Sequence, residues 1–152
     1  MVPRFRGRNI ETGEWVYGHL FYFDDGRHFI SPTGTDVVGG YGGAPAKYRL
    51  ENLVCFEIKP ETVGQSTGYK DKNGVEIFEG DLVKVSVDNG FDYLFEELSI
   101  VKPSKFHSGL VCSLKSHEVE YRIIHAEILG YEYEVVGNIY ENPELLEQAN
   151  EN

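Results

Sequence analysis

Hydrophobic and polar positions alternate with a period of two along most of this chain, and short breaks rich in glycine and asparagine interrupt the alternation. Phe5 stands among Arg4, Arg6 and Arg8, and the run Trp15-Val16-Tyr17-Gly18-His19-Leu20 is aromatic and β-branched. Between them lies Asn9-Ile10-Glu11-Thr12-Gly13. Two such runs about a Gly-containing loop predict a β-hairpin. Phe21-Tyr22-Phe23 prolongs its second strand, Asp24-Asp25-Gly26 predicts another turn, and Phe29-Ile30 a short strand. Residues 31–46 lose the alternation, with Ser31-Pro32-Thr33-Gly34 and Gly39-Gly40-Tyr41-Gly42-Gly43-Ala44-Pro45 reading as a surface loop. Leu50 to Ile58 fits a strand or a helical turn, and the spacing of Val54, Phe56 and Ile58 favours strand for its second half.

Turn chemistry is densest over residues 67–87. Asn73-Gly74 is a strong hairpin signal, because both residues tolerate the left-handed backbone that a tight turn needs. Glu79-Gly80-Asp81 marks a second tight turn, feeding the strand Leu82 to Val87. Phe91, Leu94, Phe95 and Leu98 recur at helical spacing, which favours a short helix, although Phe91-x-Tyr93-x-Phe95 also fits a strand. Leu110 to Leu114 reads as a strand, and Glu118 to Ile124 as another that Ile128 to Tyr133 continues. In the last element, Asn142 suits a helix cap, Pro143 the first helical position and Glu144 the positive helix start; residues 149–152 are expected to fray.

Composition narrows the class. One Trp, ten Tyr and nine Phe in 152 residues can fill a core, so wholesale disorder is excluded. The net charge is −11, which argues against general duplex nucleic-acid binding. Residues 67–152 carry nearly all of that imbalance, with Glu118, Glu120, Glu127, Glu132, Glu134, Glu141, Glu144 and Glu147 crowding its C-terminal part. A solvated acidic surface accounts for this, as does an acidic mimic of nucleic acid. No apolar run approaches the roughly 18 residues of a membrane span, and no signal-peptide h-region opens the chain. Cys55 and Cys112 make no disulfide framework, so a reducing cytoplasm is expected.

Candidate chemistry is sparse. A strand period of two sets Arg4, Arg6 and Arg8 on one face, able to meet phosphate or, in so acidic a chain, the protein's own carboxylates. The glycines of residues 39–43 are followed by no Lys-Ser/Thr, so they make no phosphate cradle. Aligning Asp71, Asn73 and Gly74 with a calcium loop would put Tyr69 and Gly80 where carboxylates are required. His107, Cys112, His117 and His125 fit no standard zinc spacing. Both cysteines lie in apolar strand patterns that predict small buried core residues, and no Gly-x-Ser-x-Gly elbow is present. No catalytic residue, metal site or cofactor is therefore assigned. Surplus aromatics point instead to an interface, with Arg4, Arg6, Arg8, Trp15, Tyr17 and Tyr69 as binding candidates.

Thr67-Gly68-Tyr69-Lys70-Asp71-Lys72-Asn73-Gly74-Val75-Glu76-Ile77-Phe78-Glu79-Gly80-Asp81-Leu82-Val83 resembles a signature of the YopX family of phage and prophage proteins. So does the ending Glu134-Val135-Val136-Gly137-Asn138-Ile139-Tyr140-Glu141-Asn142-Pro143-Glu144-Leu145-Leu146, and the opening Phe5-Arg6-Gly7-Arg8 with Gly13 to Gly18 is similar to the family's N-terminal hairpin. The resemblance implies a mainly β protein of temperate phages with no established activity or catalytic residues. It also reads Gly68, Asp71, Asn73, Gly74, Glu79, Gly80, Asp81, Gly137, Asn138, Asn142 and Pro143 as architecture.

The expectation is a mainly β fold, an SH3-like barrel or sandwich with added hairpins and a short C-terminal helix. Residues 1–148 form a single domain, divisible at 64/65 into an N-terminal β subregion and a barrel-like one. The expected role is a non-enzymatic protein-interaction or structural module that self-associates or binds a host or phage protein in the cytoplasm, away from membranes. The alternative is a nucleic-acid role, as an acidic mimic or as a single-strand binder using the arginines.

Overall fold

The computed structural model describes residues 3–32, 54–125 and 129–150. The chain forms two compact units, residues 1–65 and 66–152. In the first, antiparallel strands β1 (Phe5–Arg8), β2 (Trp15–Tyr22), β3 (His28–Pro32) and β4 (Phe56–Ile58) lie in the order β4-β3-β2-β1. A 3-10 turn, Pro60–Thr62, leads into β5 (Gly64–Lys70), whose first residues Gly64 and Gln65 pair with Arg6 and Phe5. Asn9 makes the first turn, its side-chain oxygen accepting the Glu11 N–H at 2.8 Å. Ile30 and Ile58 are fully buried, and a Cβ at Gly7 would overlap Ile58 Cγ2, so glycine there lets the sheet close on its core.

In the second unit the rest of β5 forms a hairpin with β6 (Glu76–Phe78). Strands β7 (Asp81–Asp88), β8 (Tyr93–Pro103), β9 (Leu110–Leu114), β10 (Glu120–Arg122) and β11 (Tyr131–Asn138) make an antiparallel sheet ordered β10-β9-β8-β7-β11. Helix α1 (Pro143–Asn150) follows. The core is Ile77, Val83, Val85, Val87, Val101, Cys112, Ile123 and Tyr133. The sheet curls far enough that Tyr133 Oη, on one edge strand, donates to the Arg122 carbonyl on the other at 2.8 Å and accepts the Ile124 N–H at 3.2 Å. No ladder joins those edges among the described residues, so the mainly β class with added hairpins and a C-terminal helix is realised as open sheets rather than a closed barrel.

Several local expectations are corrected. Residues 93–98 are strand, not helix: β8 pairs with β7 from Tyr93 onward, and a bulge between Val85 and Val87 on the partner's register holds Glu96 at φ 45°. Ser31 and Pro32 belong to β3 rather than to a loop, because they pair with His19 and Gly18; the glycine-rich stretch expected to be a surface loop lies, from residue 33 on, outside the described residues. Residues 118–133 are not one continuing strand: β10 is short and pairs with β9, whereas Tyr131 onward pairs with β7. Cys55 is exposed, because it precedes the short β4 instead of lying within a buried strand. Among the described residues no helix is long and apolar enough to cross a membrane.

Candidate functional site

The Asn73-Gly74 turn is built around one buried carboxylate. Asp71 is 7% exposed, and its Oδ1 accepts the N–H groups of Asn73 at 2.8 Å and Val75 at 2.9 Å. The backbone closes the same turn, with Asp71 N–H donating to Val75 O and Gly74 N–H to Asp71 O; Gly74 sits at φ 82°. Asp71 Oδ2 reaches outward and accepts the Val135 N–H of β11 at 2.9 Å, while Lys72 N–H donates to Tyr133 O at 2.9 Å. A carboxylate that accepts three backbone amides is a structural bolt, with little left to offer a cation.

Bolting the hairpin to β11 leaves a half-open groove of about 860 Å³ between Gly68–Lys72 on one side and Tyr131–Tyr133 on the other, with Ile124 and His125 at its end. Its walls are aromatic. Tyr69 meets the His125 ring edge-on at 5.0 Å between centroids, and Tyr131 stacks on Tyr133 at 6.3 Å. Burial pushes the Tyr133 phenol well above its ordinary value, so it stays a neutral hydrogen-bond donor. Lys72 Nζ lies 3.6 Å from Glu132 and 3.5 Å from Glu134, whose charges raise its pKa. These exposed pairs orient the rim more than they stabilise it.

The binding candidates are divided between the two units. Tyr69 lines the groove just described. Arg4, Arg6 and Arg8 share a sheet face of the first unit with Trp15 and Tyr17, in the register Arg6↔Tyr17 and Arg8↔Trp15. The Arg6 and Arg8 guanidinium carbons stand 4.5 and 5.2 Å from the Trp15 ring, and that of Arg4 stands 5.5 Å from Tyr17. Arg6 is only 5% exposed.

The remaining motif residues lie in turns. Asp81, 2% exposed, accepts the Phe78 N–H at 2.8 Å, and Gly80 hydrogen-bonds through its N–H to Val101 O and through its carbonyl to Ile139 N–H. Glu79 precedes it in the same turn, and Gly68, at φ 81°, lines the groove. Asn138 Oδ1 accepts the N–H groups of Tyr140 and Glu141. Asn142 turns its side chain back to accept the Asn138 N–H at 3.2 Å, and Pro143 opens α1. A Cβ at Gly137 would collide with the Asn142 side chain, so glycine there permits this turn.

His107, Cys112, His117 and His125 are not brought together. Cys112 is fully buried in the sheet, whereas the three histidines are exposed on segments outside the strands. Among the described residues no group of three or more His, Cys, Asp and Glu side chains could hold a metal ion. Desolvation raises the Cys112 thiol to about 12 and also raises Cys55, which is the opposite of nucleophile activation. Sequence reasoning missed His125, Tyr131 and Tyr133 as lining residues. The Tyr131-x-Tyr133 spacing was the available signal, since a strand puts both rings on one face.

A family model described as "YopX protein" matches residues 4–147. The crystal structure of protein EF1440 from Enterococcus faecalis is similar in fold, with a TM-score of 0.55, 24% identity, and coverage of 96% of this chain and 99% of that one. No curated protein matches the sequence.

Proposed function

The chain belongs to the YopX family, and from that premise we propose that it is a non-enzymatic protein-interaction module, a phage- or prophage-encoded accessory protein working in the host cytoplasm. The observation that carries this reading is an aromatic run on the β7–β8 hairpin: Phe91 is fully exposed, and Tyr93 and Phe95 are 71% and 66% exposed. Tyr93 and Phe95 stand two apart on one strand. Burying an aromatic side chain against a partner gains about 1.5–3 kcal/mol, so three held in water on one finger favour an interface. The single-strand reading draws less support, because the arginine stripe stacks on its own Trp15 and Tyr17 and Arg6 is nearly inaccessible.

The test compares the full chain with a Phe91→Ala/Tyr93→Ala/Phe95→Ala variant as baits in host lysate. The unaltered protein is expected to retain discrete proteins that the variant loses, with both showing the same unfolding midpoint within a few degrees. Identical capture by the two baits would remove the hairpin from the argument.

A further inference from the structure

Two features of opposite charge face solvent on the second unit. The finger between β7 and β8 carries the exposed Phe91, Tyr93 and Phe95, and from Val85 to Glu97 the chain holds Asp88, Asp92, Glu96 and Glu97 with no Lys or Arg. The stretch from Leu98 to His117 is the reverse: Lys102, Lys105 and Lys115 with no Asp or Glu. These lysines, with Phe106 and His117, line a pocket of about 270 Å³. Glu118 and Glu120 also line it. The Glu120 carboxylate is already committed to the Lys105 N–H at 2.8 Å and Ser104 Oγ at 2.7 Å, which hold it below the ordinary carboxylate range.

The pocket lies just under the roughly 300 Å³ at which drug-sized sites begin, a size for a single aromatic side chain. Phe106, 80% exposed, supplies an aromatic wall. The tip of the finger is turned away from the pocket of its own chain, although at its base Glu97 accepts a hydrogen bond from the pocket-lining Ser116 Oγ at 3.4 Å. Asp92 is fastened to Tyr121 Oη at 3.2 Å, and Tyr121 packs on the core side of β10. Glu120, the next residue along the strand, faces the other way with the pocket.

We propose that copies of this chain associate head to tail, with Phe91 of one copy seated against Phe106 in the pocket of the next and the finger's Asp88 and Glu96 carboxylates over Lys102, Lys105 and Lys115. This rests on the reading of the hairpin as the contact surface and names a second copy as its partner. A symmetric finger-to-finger contact would set four carboxylates against four more, so charge selects the heterologous pairing. Such a contact leaves a free finger at one end and a free pocket at the other, and it therefore propagates with concentration.

Sedimentation of the full chain across a concentration series tests this. Average mass is expected to climb at about 10 mM salt and to fall back at about 150 mM, as the Debye length shortens from roughly 30 Å to 8 Å. A finger variant, Phe91→Ser/Glu96→Lys, and a pocket variant, Lys102→Glu/Lys105→Glu, should each be monomeric while keeping native circular dichroism. Their equimolar mixture should give a dimer and nothing larger, since one intact finger meets one intact pocket. A monomer at every concentration and salt, or a mixture that stays monomeric while the unaltered chain associates, overturns the proposal. If the chain is monomeric yet the triple aromatic variant still loses a lysate protein, self-association falls and the interaction reading stands. If both fail, both fall.

Discussion

Cys112 illustrates how a single side chain ties the core of the second unit to solution conditions. It pairs in register with Val101 at full burial, and desolvation outweighs the hydrogen bond to Ser99, pushing the thiol to about 12 from its ordinary 9.0. Above pH 9 the unfolded chain therefore loses a proton that the folded chain keeps. Stability that is fully present below that pH declines toward pH 12, at on the order of 1 kcal/mol per pH unit. The buried Tyr133 adds a loss of the same sign at higher pH, since its phenol is also raised. Urea midpoints are expected to be level between about pH 7 and 8.5 and to decline beyond 9. Cys112→Ala should flatten the first part of that decline, and an unchanged slope would show that the thiol is not responsible.

At the scale of elements, the β5–β6 hairpin is held to β11 chiefly through Asp71, so its removal should loosen a junction rather than a single turn. Asp71→Ala strands the amides of Asn73, Val75 and Val135, and the expected cost is about 3 kcal/mol, read as a lower urea midpoint at constant slope. Faster hydrogen exchange at both Val75 and Val135 would distinguish undocking from a local turn defect. The turn itself was legible in the sequence because Asn73 and Gly74 declare their backbone preferences locally. That Asp71 also reaches Val135 was not, since nothing local marks a bond across 64 residues. Residues 91–98 were misread for a related reason. The bulge at Glu96 adds a residue to β8, which breaks the two-residue alternation and turns the spacing of Leu94, Phe95 and Leu98 into one that imitates a helix turn. Of the groove's aromatic walls, Tyr69 alone stood among the binding candidates; Tyr131 and Tyr133 lie on β11 and His125 on the segment after β10, which the hairpin meets only through tertiary contacts.

Over the whole molecule, charge acts in two opposing ways, and salt separates them. A net charge of −11, concentrated in residues 67–152, repels itself within the folded chain, so screening should stabilise the fold. Between about 10 and 150 mM sodium chloride the melting midpoint is expected to rise by a few degrees at a protein concentration too low for association. Head-to-tail contact between the finger's carboxylates and the pocket's lysines should weaken over the same interval. The two responses must therefore cross: at high protein concentration, added salt first removes the stabilisation that association lends and only then reveals the gain from screening. A midpoint that depends on salt identically at low and high protein concentration would mean that the finger and pocket charges act only within one chain.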